Sequence, residues 1–181
     1  MLHIKPGHSI GPLRLGMPQE ELEQVLLGLW KELGLAAEPL GRKPEAAPLE
    51  ERGVRYWSAR GEAVVLLIYR DGRAVDISIS RGFADFTKVE VYGMDVFRSE
   101  AADVVARASR ETNSRDMRTD EFEYIFSGLG LRLWREHLES PEDDTSPSKF
   151  DFAAVMHRGR RTRRCAGSFR LLLGVLTGVC P

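Results

Sequence analysis

The chain has 181 residues, of which 43% are hydrophobic and 29% charged. That length and balance suit one domain or two small fused units with a sizeable core, and exclude a collagen-like, coiled-coil or generally disordered chain. The formal net charge of −1 hides an asymmetry: residues 157–181 hold six arginines and no acids, which leaves 20 basic and 27 acidic side chains on residues 1–156.

The start, Met1-Leu2-His3-Ile4-Lys5-Pro6-Gly7, lacks the apolar stretch of a secretory signal, which predicts a cytoplasmic protein. Both cysteines, Cys165 and Cys180, fall in the last 25 residues, so the core of the body does not depend on disulfides. Residues 9–17 predict a short strand ending at Gly16. Pro18 suits a first helical turn, and Glu20 and Glu21 complement the helix dipole there. Leu22, Val25, Leu26 and Leu29 then recur at helical spacing, with Gly34 as the stop. The prolines and glycines of residues 35–53 predict a loop. Residues 54–58, 63–70 and 74–80 read as three strands, joined by tight turns at Arg60-Gly61 and Asp71-Gly72. In the third, Val75, Ile77 and Ile79 alternate with Asp76, Ser78 and Ser80, which predicts one wet face. Leu26 and Val65 are expected in the core.

A second stretch follows the same order. Val89, Val91 and Gly93-Met94 read as a strand and turn, and residues 98–110 as a helix with Ser99 or Asp95 as its N-cap. Its apolar face would hold Ala101, Val104, Val105 and Ala108. Residues 122–126, 131–135 and 150–156 read as strands, with an acidic loop at 140–149. Gly16-Met17 and Gly93-Met94 are 77 positions apart, and so are Val54-Arg55-Tyr56-Trp57 and Leu131-Arg132-Leu133-Trp134. That shared spacing predicts one α/β unit used twice.

The segment from Gly11 to Leu22, Gly11-Pro12-Leu13-Arg14-Leu15-Gly16-Met17-Pro18-Gln19-Glu20-Glu21-Leu22, resembles the strand–Gly-Met–helix opening of the small α/β units in beta-lactamase inhibitor proteins. It also resembles that opening in outer-membrane assembly lipoproteins of the SmpA/OmlA type. Phe126 to Arg135 resembles a segment of uncharacterised bacterial proteins that share the opening. The resemblance covers about a third of the chain. It implies helices on an antiparallel sheet and a role in binding proteins. The chain departs from both groups: it has no export signal, no lipidation cysteine near its start, and none of the inhibitors' disulfides in its body. No binding residue carries over.

Among site candidates, period-2 alternation sets Arg55 and Trp57 against Val54 and Tyr56, and Arg132 and Trp134 against Leu131 and Leu133. If helices cover the aliphatic side, the opposite face carries Arg55, Trp57, Asp76, Ser78, Glu123, Arg132 and Trp134. Trp and Arg on a polar sheet face are favoured interface anchors. The alternative is that arginines and tryptophans satisfy one another within the sheet or under a loop. Catalytic signals are sparse. The chain has no P-loop, GxGxxG, GxSxG or HExxH, and its four histidines show no metal spacing. Glu136-His137 beside Glu139 would be the place for a general base. The run Arg158 to Arg164 could contact phosphates or, with the apolar run behind it, an anionic membrane.

The sequence thus predicts an α+β domain over 1–156, two helices on an antiparallel sheet, with units at 9–80 and 89–156 and a tail, 157–181, outside the fold. The expected function is a non-enzymatic protein-binding module, inhibitor- or immunity-like, that uses the polar Trp/Arg face with no cofactor or metal. A hydrolase near His137 and a nucleic-acid or membrane contact through the tail are the alternatives.

Overall fold

The computed structural model describes residues 1–35, 38–40, 54–59, 63–111, 117–118, 123–135 and 149–157, with backbone pairing alone for 38–40, 54–59 and 117–118. Chain order begins with β1 (Leu2–Lys5), β2 (Ser9–Ile10) and β3 (Leu13–Arg14), then α1 (Gln19–Glu32). β4 (Glu38–Leu40), β5 (Val54–Ala59), β6 (Ala63–Arg70) and β7 (Arg73–Ser80) follow, and a 3-10 turn spans Arg81–Asp85. β8 (Val89–Val91) and β9 (Met94–Asp95) precede α2 (Ala101–Arg110). The last strands are β10 (Met117–Arg118), β11 (Glu123–Phe126), β12 (Leu131–Trp134) and β13 (Phe152–Met156).

The strands of the described residues form two sheets. The larger has eight, in the order β10-β11-β12-β13-β7-β6-β5-β4, all antiparallel. The smaller has five, in the order β3-β2-β1-β8-β9, with β1 parallel to β8. This is the expected α+β class with an added small sheet. Its central strand is the segment at the chain start that sequence reading left without structure. Leu2 and Ile4 are buried there while His3 and Lys5 face out, so β1 is an ordinary one-sided strand too short to stand out by alternation.

α1 forms where the leucine spacing places it. Leu22, Leu26, Leu29 and Trp30 are buried, Glu20 and Glu21 sit in the first turn, and Lys31 sits in the last. It ends in a Schellman arrangement: the Leu35 N–H donates to the Trp30 carbonyl at 2.8 Å and the Gly34 N–H to the Lys31 carbonyl at 3.0 Å. Gly34 takes the left-handed φ of +70° that this cap requires. α2 starts at Ala101, three residues later than expected, and neither Asp95 nor Ser99 is its N-cap. The Asp95 carboxylate instead accepts the N–H groups of Phe97 and Arg98, both at 3.1 Å, in a turn that consumes the residues before the helix. Ala101, Val104 and Ala108 face inward, and Val105 is half-buried.

Both helices and the inner side of the small sheet meet one face of the large sheet in a single core. Val65, Leu67, Ile77, Ile79, Leu131, Leu133, Ala153 and Val155 are its sheet side. Leu26 and Val65 are fully buried, as expected. Trp30 stacks on Phe83 with ring centres 4.9 Å apart, which ties α1 to the turn after β7.

A hairpin, a helix and a four-strand meander occur twice in chain order: β2–β3, α1 and β4–β7, then β8–β9, α2 and β10–β13. The last strand of each meander, β7 and β13, pair at the centre of the large sheet. The spacing of 77 carries α1 onto α2 and β7 onto β13, but it sets β5 on β12 instead of β11 and places the two Gly-Met pairs differently. Gly16-Met17 follows β3 and runs alongside the start of β7: the Gly16 N–H donates to the Ala74 carbonyl, and the Ala74 N–H to the Met17 carbonyl. Gly93 lies in the two-residue β8–β9 turn, where Tyr92 and Gly93 both have positive φ. β5 stands second out from the central pair on its side, whereas β12 is next to the pair.

Candidate binding face of the large sheet

Cross-strand partners share a face, so the register assigns every position of the large sheet to one side. Arg132 pairs with Ala154, Ala154 with Ser78, Ser78 with Leu66 and Leu66 with Tyr56. One step along, Glu123 pairs with Trp134, Trp134 with Phe152 and Phe152 with Ser80. One step the other way, Met156 pairs with Asp76 and Asp76 with Ile68. This second face, opposite the helices, holds Asp76, Ser78, Glu123, Arg132 and Trp134 as the alternation predicts.

Arg55 and Trp57 do not join them. Arg55 is in register with Leu67 and Trp57 with Val65, both positions of the helix-covered face. The expectation that Trp57 and Trp134 share a face is therefore corrected. The reason is β6, whose residues from Ala63 to Leu67 are all buried. A strand apolar on both sides carries no inside–outside mark, so the parity of β5 cannot be carried across it from sequence. The apolar Val54 and Tyr56 occupy second-face positions instead.

The second face is also not wet. Asp76 is 5% exposed, Ser78 1% and Arg132 7%, with Val64, Leu66, Ala154 and Met156 buried around them. Burial of this kind requires pairing, and the side chains supply it. Arg132 Nη2 lies 3.2 Å from Asp76 Oδ2 and 3.5 Å from Ser78 Oγ. Ser78 Oγ donates to Asp76 Oδ1 at 2.9 Å. Glu123 Oε1 lies 4.0 Å from Arg132 Nε, at the more exposed end of the cluster. The arginine reaches from β12 to β7 because Ala154, the residue between them on β13, is too small to block it.

Trp134 is half-buried. Its ring centre is 5.5 Å from that of Phe152, tilted by 51°, and Phe152 is half-buried as well. Glu123, Trp134 and Phe152 form a partly accessible corner of this face beside the buried ion pair, and Ile68 is half-buried on the same face. Ser78 belongs to the network, and sequence reading placed it on this face. Phe152 and Ala154 were missed as parts of the site, because β13 is apolar on both sides and its sequence does not mark which residues face this way.

A second charged cluster lies on the outer face of the small sheet. His3 Nδ1 is 3.5 Å from Glu90 Oε2, and Lys88 is bonded to the same carboxylate. The Lys88 hydrogen bond, followed by the charges of Lys88 and His3, holds the Glu90 carboxyl below its ordinary range. Among the described residues, no three His, Cys, Asp or Glu side chains stand close enough together to hold a metal ion. No helix among them is long and apolar enough to cross a membrane. His137 and its glutamates, the basic tail and both cysteines lie outside the described residues. Comparison with family models, with curated proteins and with solved structures returns no match to this chain.

Proposed function

We propose that the chain is a non-enzymatic protein-binding module that engages its partner through the corner at Glu123, Trp134 and Phe152. The observation that carries the reading is the half-buried Trp134–Phe152 pair, which keeps part of its ring surface accessible on the large sheet. A large amphipathic ring held by a rigid sheet loses little conformational entropy on binding, which is why tryptophan anchors interfaces. The buried Arg132–Asp76 pair fixes the strand beneath it, so the corner is preorganised. The resemblance of the Gly11–Leu22 opening to inhibitor and assembly proteins points the same way. The cysteine-free residues 1–156 are in keeping with a cytoplasmic setting. We read the recurrent element order as two related units.

The test is affinity capture from the native host on immobilised wild type, Trp134→Ala and, as a control, Leu27→Ala on the exposed side of α1. A protein retained by wild type and the control should bind Trp134→Ala about thirtyfold more weakly, equivalent to about 2 kcal/mol. Trp134→Ala also loses its ring contact with Phe152, so its melting temperature should fall modestly while the protein stays folded at the capture temperature. Equal retention by all three proteins would overturn the proposal.

A further inference from the structure

We draw no further inference here: the strongest candidate, the first turn of α1 between Arg14 and Arg73, already carries Glu20 and Glu21, gives its Gln19 N–H to the Gly72 carbonyl and has Arg73 bonded to the Gly16 carbonyl, so it is a helix N-terminus with no second observation that points to an anion.

Discussion

Arg132 and Asp76 sit on strands separated by β13, a span of about 10 Å at normal strand spacing. Only the small Ala154 between them lets the guanidinium cross and reach the carboxylate at 3.2 Å. Both charges are nearly removed from water, so each depends on the other. Arg132→Leu should therefore cost about 3–5 kcal/mol, because it leaves Asp76 buried without its counter-charge. The double variant Arg132→Leu/Asp76→Leu should recover most of that loss, since two apolar side chains need no pairing. Urea midpoints of the single and double variants decide the matter. A double variant as unstable as the single one would mean that Asp76 is held mainly by other groups. Asp76, Glu123 and Arg132 were each legible in sequence as opposite the aliphatic side of their own strand. Their burial was not, because alternation shows which residues share a side and never what lies above it.

At the scale of the element, α1 carries a visible imperfection. Gly28 lies on its exposed side, and a Cβ added there would meet nothing within 4 Å. A glycine in a helix interior loses backbone entropy without any gain in packing. Gly28→Ala should thus stabilise the protein by about 0.5–1 kcal/mol, read as a higher urea midpoint at unchanged slope. The small sheet supplies a pH-dependent test. Its Glu90 carboxyl is lowered in the folded state, so it contributes stability above the unfolded value and loses it as pH falls through the folded one. Glu90→Gln should melt below wild type at about pH 7, and the gap should narrow as pH falls below the ordinary carboxylate range. A gap that persists at the acid end would trace the loss to packing instead. Of the two helices, α1 was legible almost to the residue because its leucines, first-turn acids and terminal glycine agree. α2 was displaced at its start because Asp95 can cap a turn as readily as a helix, and sequence does not choose between them.

For the whole molecule, one junction between the two sheets lies where Gly7 meets Gly130, besides the bonds of Gly16 and Met17 to Ala74. The Gly130 carbonyl accepts N–H groups from both Gly7, at 3.1 Å, and Met156, at 2.9 Å. Gly130 has a φ of +71°, and a Cβ there would lie 2.2 Å from the Met156 carbonyl oxygen and 2.7 Å from the Gly7 Cα. Each contact is with backbone, which cannot rotate aside. Gly130→Ala should cost about 3 kcal/mol or more, combining left-handed strain with displacement of the small sheet. Far-UV circular dichroism and tryptophan fluorescence should report the same lowered midpoint, since both sheets share one core. A wild-type midpoint in this variant would show that the two glycines do not join the sheets tightly.

By itself the sequence determined the local order of this protein: the α1 leucine face, the Asp71-Gly72 hairpin, the strands on either side of it, and the one side of their strand that Arg132 and Trp134 share. Those features repeat over 2 or 3.6 residues, and neighbouring residues suffice to define them. The tertiary structure alone decided that β7 and β13 pair at the centre, that β1 links the two hairpins in a second sheet, and that Trp57 registers with Val65, on the side opposite Trp134. Strand order and register are set by contacts between residues far apart in the chain. A β6 that is apolar on both sides leaves no mark in the sequence from which its neighbour's parity can be read.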